Sequence, residues 1–168
     1  MAQMGALMTE LAGICDGSEG STALALFDLN GFKNYNDRYG HQAGDRCLCE
    51  VTAAIRDAVQ RRPLDVVARY GGEEIIAILV GADRAAAAGA AEGVLQAVAD
   101  LKITHSGSTT RGCVTVSVGV TTVESDDEYS HEHAVHEADM ALYAAKDRGR
   151  DGWLSHERPV LRRSQYPA

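Results

Sequence analysis

The sequence predicts an α+β domain of ferredoxin-like type, a central antiparallel sheet with flanking helices on a β-α-β-β-α-β core, and three observations predict it. Short apolar or alternating runs at Thr22–Leu29, Asp65–Tyr70, Glu74–Val80 and Cys113–Val123 read as strands. A Gly71-Gly72 pair separates the second run from the third, a hairpin signal because glycine tolerates the positive φ of tight turns. Segments with apolar residues three to four apart stand before and after that hairpin, so helices precede and follow it. The expected packing places them on one face of the sheet.

The first strand, TALALFDL, is short and apolar and delivers Asp28 near its C-terminal end. NGFKNYNDRYGHQAG, Asn30 to Gly44, reads as a loop. Leu48, Val51, Ile55 and Val59 then define an amphipathic helix running to about Gln60 and starting near Gly44 and Asp45. After the hairpin, DRAAAAGAAEGVLQAVAD reads as a helix with Asp83 as N-cap. The β-branched CVTVSVGVTTV is the fourth strand, and SHEHAVHEADMALYAAKDRG is a last helix closed by Gly149. This divides the chain into a weakly patterned segment 1–21, a domain 22–155 and a loose tail 156–168.

Composition narrows the function. The chain has 168 residues, with 24 acidic against 16 basic ones and a formal charge of −8, which argues against wrapping a nucleic acid polymer. No run approaches a membrane span and no leader-like start is visible, so the expected setting is cytoplasmic. Cys15, Cys47, Cys49 and Cys113 form no CxxC pair and read as small buried hydrophobes in a reducing compartment.

In the predicted topology the first strand neighbours the hairpin, so Asp28, Glu73 and Glu74 meet at one sheet edge. Like charges so gathered call for a cation, and a hard divalent ion with oxygen ligands is the usual solution. Mg²⁺ binds through one or two carboxylates together with substrate phosphates, which points to a nucleotide. The alternative is three solvated turn acids.

The stretch FDLNGFKNYNDRYGHQAGD, followed by ARYGGEEI, VSVGV and ADMALYAAKDRGR, resembles the GGDEF domain, the catalytic domain of diguanylate cyclases, from about Ala23 to Trp153. The resemblance implies the palm-like GGDEF fold and a Mg²⁺ (or Mn²⁺) dependent enzyme that condenses two GTP into cyclic di-GMP. By that likeness Asp28 and the Leu29 carbonyl bind metal with Glu73 and Glu74. Glu73 also helps to deprotonate the attacking 3′-hydroxyl, and Gly71 and Gly72 let phosphates approach the backbone. Lys33, Lys146 and Arg150 hold the triphosphate, the last two on one helix face if the helix extends that far. Asn36 and Asp45 recognise guanine, a carboxylate accepting from N1–H and N2–H₂ together. Asp45 alone would read as a helix-start acid.

Arg62-Pro63-Leu64-Asp65 matches an RxxD site for inhibitory product, against a reading as a charged turn after Pro63 stops the helix. His41 stands in the GHxxGD motif, with loop-ordering and substrate-contact roles both open. His131, His133 and His136 do not share one helix face, so no metal site is assigned to them. Two departures are visible. Ile75 replaces the usual Phe of the signature, a core substitution, and LAGICD at Leu11–Asp16 is a degenerate copy of the family's entry turn, with no room for the helix after it. No sensory or dimerisation module is visible, so two domains, each holding one GTP, are expected to meet by collision in a transient homodimer. The rival readings are a weak or inactive domain that binds GTP or cyclic di-GMP, and a cyclase with a mononucleotide product.

Overall fold

In the computed structural model, which describes residues 20–123 and 130–156, the sheet is organised around its first strand. Strand β1 (Thr22–Leu29) pairs antiparallel with β3 (Glu74–Val80) on one side and with β4 (Val116–Val123) on the other. Strand β2 (Val66–Gly71) adds outside β3, and β5 (Trp153–Ser155) adds parallel to β4, giving the order β2-β3-β1-β4-β5. Being central explains why TALALFDL is apolar without alternation: both of its faces are covered.

Among the described residues four helices flank the sheet: α1 (Phe32–Tyr39), α2 (His41–Val59), α3 (Arg84–Asp100) and α4 (His131–Asp147). They do not lie on one face as expected. Cys47, Leu48, Val51 and Ile55 of α2 and Ala87, Ala91, Val94 and Val98 of α3 pack on Ala25, Phe27, Ile75, Ala77 and Val118. The opposite face, with Leu24, Leu26, Ile76 and Ile78, is covered by Ala134, Ala138 and Leu142 of α4. A sheet with two apolar faces needs cover on both, and the strand sequences carried that information. Ile75 is fully buried against the α2–α3 side, as a core substitution should be.

Helix caps follow the chemistry of their residues. The Asp83 carboxylate accepts from the Ala86 amide at 2.8 Å, and the Ser130 side chain accepts from His133 at the start of α4. On α4 the approach to the sheet is so close that a Cβ on Gly119 would lie 2.1 Å from the Ala138 carbonyl oxygen and 2.2 Å from the Leu142 nitrogen.

Three further expectations change. The Asn30–Gly44 stretch is not a loop, because α1 and the start of α2 form within it and α2 begins at His41 rather than at Asp45. Its aromatics Phe32, Tyr35 and Tyr39 lie at i, i+3 and i+7, the helical signal that its polar neighbours obscured. Strand β5 is too short to carry a pattern. Of the cysteines, Cys47 is buried, Cys113 is half-buried and Cys49, two residues after Cys47, is exposed, so the buried reading holds for Cys47 alone among the described ones. Burial, with the nearby Glu50 charge, pushes the Cys47 thiol up to about 11. The LAGICD segment, Cys15 and residues 157–168 of the tail lie outside the described residues.

Candidate active site

The site forms at the end of the sheet where β1 finishes and the β2–β3 hairpin turns. Register places Asp28 directly opposite Glu74 on β3 and opposite Ser117 on β4. Glu73 stands on the turn one residue before. From the α4 side Lys146 reaches in, its Nζ 2.8 Å from Asp28 Oδ2. Burial, and then the Asp28 charge, raise the Glu74 carboxyl above the ordinary glutamate value; Lys146 works in the opposite direction, and Asp139 and Glu73 add to the rise.

Asp28 and Glu74 are therefore brought together, with Lys146 as their cationic neighbour. Glu73 is near enough for its charge to be felt at Glu74, but among the described residues no three acids, histidines or cysteines converge tightly enough to hold an ion. The donor set at Asp28 and Glu74 is all oxygen and carries excess negative charge, which fits a hard divalent cation. Leu29 is buried and closes β1 opposite Val116.

The hairpin turn is open in front. Gly72 has a left-handed φ of +52, so its identity is a backbone requirement, and its carbonyl accepts from Arg69 Nε at 2.8 Å. Gly71 has neither a positive φ nor a close neighbour, since an added Cβ would meet nothing within 4 Å. The fold thus leaves room beside Gly71 for a ligand to approach the main chain.

Helix α1 and the start of α2 carry the other expected site residues. Lys33 is exposed on the first turn of α1. Asn36 sits over Gly44, where a Cβ would fall 1.7 Å from Asn36 Oδ1, and that oxygen is buried without a hydrogen-bond partner among the described residues. An orphaned acceptor of this kind is costly in a folded protein, and here it is packed against the α2 backbone. Asp45 is exposed and lies beyond the first turn of α2, whose N-cap is Gly40, so the helix-start role does not apply. His41 is exposed as the first residue of α2.

One expected grouping is altered. Helix α4 ends at Asp147, and Arg150 lies past it with φ +63, so Lys146 and Arg150 do not share a helix face. Arg62 and Asp65 lie far from the hairpin turn, beside a cavity of about 220 Å³ between α2 and α3 that Ala58, Leu79, Ala86 and Ala90 also line. Asp65 is buried there and its carboxylate is already engaged: Oδ2 accepts from the amides of Arg61 (3.0 Å) and Arg62 (2.8 Å), and Oδ1 from the amide of Val80 (3.1 Å). That makes Asp65 the clasp of its turn. The Arg62 guanidinium donates to the Val80 carbonyl and is exposed. On α4, His133 Nδ1 lies 3.1 Å from Ser130 Oγ.

Sequence reasoning missed a polar cluster behind the site. Asn30, buried just after β1, donates from Nδ2 to Thr115 Oγ1 at 3.0 Å and accepts from Ser117 Oγ at 2.7 Å. His105, in the loop between α3 and β4, is fully buried with Nε2 3.2 Å from the Gly31 carbonyl oxygen. These partners are 74 to 87 residues apart, a distance at which no local pattern could have linked them.

Comparison with known proteins gives the family and the fold. A family model described as "Diguanylate cyclase, GGDEF domain" matches residues 5–152. Diguanylate cyclase A of Treponema denticola is 40% identical over 129 residues, 77% of this chain and 33% of that protein. The bifunctional diguanylate cyclase/cyclic di-GMP phosphodiesterase MucR of Pseudomonas aeruginosa is 36% identical over 135 residues, 80% of this chain and 19% of its own length. The chain thus spans a third or less of these curated relatives. Among solved structures, the GGDEF domain of DgcB from Caulobacter crescentus, determined in complex with c-di-GMP, superposes with a TM-score of 0.80 at 30% identity, covering 92% of this chain and 91% of that one.

Proposed function

The chain belongs to the GGDEF domain family of diguanylate cyclases, and from that membership we propose that its site condenses two molecules of GTP into cyclic di-GMP. In each half-reaction the 3′-oxygen of one GTP bonds to the α-phosphorus of the other, and the bond from that phosphorus to pyrophosphate breaks. Each of two facing domains holds one GTP, so the working unit is a transient homodimer. The observation that carries the reading is the register pair Asp28–Glu74 beside the open Gly71-Gly72 turn, with Lys146 at its edge.

Asp28, Glu74, Glu73 and the Leu29 carbonyl would hold Mg²⁺ or Mn²⁺, which neutralises phosphate charge and favours the ionised 3′-hydroxyl when bound. Glu73 on the turn accepts the 3′-hydroxyl proton. Lys33, Lys146 and Arg150 balance phosphate charge from opposite sides of the turn. By the family resemblance Asn36 and Asp45 orient guanine, and His41, the first residue of α2, belongs to the same group. Arg62, exposed at the α2–α3 cavity, is the group available to grip inhibitory cyclic di-GMP, and Asp65 serves that site by holding the turn. A cytoplasmic, nucleotide-supplied setting belongs to the same reading.

The test is product analysis after incubating concentrated protein with GTP and Mg²⁺ beside Glu73→Ala. Cyclic di-GMP from the parent, reduced at least a hundredfold in the variant, is the expected result. If the parent makes no product yet binds cyclic di-GMP, with binding lost in Arg62→Ala, the domain is a receptor instead.

A further inference from the structure

Helix α1 carries Lys33 and Asn36, yet little within it determines where it sits. It is 8 residues long, buries only Tyr35, and starts from Gly31 at φ +69 without a side-chain cap. A helix that short is marginal by itself. Its placement must be imposed from outside.

The loop between α3 and β4 supplies contacts along its whole length. At the start, His105 Nε2 lies 3.2 Å from the Gly31 carbonyl oxygen; a carbonyl only accepts, so this nitrogen carries the hydrogen and donates. In the middle, the imidazole meets the Tyr35 ring edge-on, with centroids 5.4 Å apart and planes at 82°. At the far end, the Ser106 amide donates to the Tyr39 hydroxyl at 3.0 Å, and the two hydroxyls lie 2.7 Å apart. The loop is itself held: the His105 amide donates to the Gly112 carbonyl and Val114 to Ile103, both at 2.9 Å, around a Thr104–Cys113 bridge. His105 is fully buried, and a Cβ on Gly31 would stand only 3.3 Å from its Nε2.

We propose that His105 is a positioning residue for the nucleotide: by donating to Gly31 it sets the angle at which α1 leaves the sheet, and so where Lys33 and Asn36 meet GTP. This rests on the reading of α1 as a nucleotide wall. The Gly31 carbonyl also accepts from Tyr35 at 3.0 Å, so without the imidazole the first turn keeps its own bond and loses its outside anchor. The consequence is a misdirected helix rather than a melted one.

The experiment compares His105→Phe, which keeps an edge-on ring and loses the donor, with His105→Gln, which returns an N–H. Three quantities are read: melting temperature, amide exchange along Phe32–Tyr39, and GTP dissociation constant beside KM and kcat. Losing one buried hydrogen bond that orders the site should raise the GTP dissociation constant and KM about five- to tenfold in His105→Phe, with kcat within about twofold and faster exchange confined to α1. His105→Gln should recover most of that loss. Unchanged GTP affinity in His105→Phe overturns the proposal, as does a loss that Gln does not restore or faster exchange spread evenly through the domain. Should His105→Phe fail to fold, His105→Asn, whose amide stops short of Gly31, replaces it in the same comparison. A parent that binds GTP but makes no cyclic di-GMP refutes the cyclase reading while leaving His105 testable by affinity; a parent that binds no GTP overturns the role given to His105.

Discussion

At Glu74 the role proposed for the side chain is set against stability. Like charges directly opposite on neighbouring strands are destabilising by about 0.2–1 kcal/mol, and Asp28 and Glu74 are such a pair. The raised Glu74 carboxyl has a definite sign of effect. Its folded state favours the proton, so its contribution to stability is fully present below the ordinary value of 4.5 and is lost as pH rises through the folded value. At neutral pH the ionised Glu74 therefore destabilises the metal-free domain. Glu74→Gln should melt about 1–3 °C higher than the parent at pH 7 in the presence of a chelator, and the gap should close as pH falls toward 4. A variant that melts lower at pH 7 would contradict this account. At this scale the nearness of Asp28 to the Glu73-Glu74 turn was legible in the sequence, because a strand-end acid and a hairpin signal implied it. His105 and Asn30 were not, because a buried imidazole bound to a remote carbonyl leaves no mark on its neighbours in sequence.

Elements were legible where packing and periodicity agreed. Strands β1, β3 and β4 and helices α2, α3 and α4 announced themselves by apolar runs or by i, i+3, i+4 spacing. Helix α1 did not, because it rests on three aromatics and an outside loop, and the single-face packing expected for the helices failed because β1 and β3 are apolar on both sides. The contact between α4 and β4 gives the element scale its prediction. The atoms that a Cβ on Gly119 would strike belong to the α4 backbone, so no side chain can swing aside. Gly119→Ala must push α4 off the sheet, at a cost of about 1–3 kcal/mol as for other overpacked cores, readable as a shift of the urea midpoint. Because Lys146 rides on the same helix, the variant should also lose the proposed cyclase activity beyond its loss of folded protein. A Gly119→Ala variant with parental stability would show that the helix can yield at no cost.

Among the described residues there is one nucleotide site of the proposed kind, whereas the proposed reaction joins two nucleotides symmetrically. Specific activity should consequently rise with domain concentration, approaching a first-power dependence in dilute solution where encounter limits the rate. Initial rates over a hundredfold dilution series decide this, and a specific activity independent of concentration would require a stable dimer or a single-domain reaction. Among the described residues no helix is long and apolar enough to cross a membrane.

The position of β1 at the centre of the sheet has a consequence for how the site comes into being during folding. Everything at its C-terminal end is fastened by chain that arrives much later: Glu74 from the hairpin, then His105 and Thr115, 74 and 85 residues beyond their partners, and finally Lys146 from α4. Contacts of such sequence separation close slowly, because the loop entropy is lost before they form. A growing chain that has completed β1, α1 and α2 therefore carries Lys33, Asn36 and Asp45 but no complete proposed site. That site is among the last parts of the domain to mature, and a truncation ahead of β4 removes the strand beside Asp28 together with Lys146.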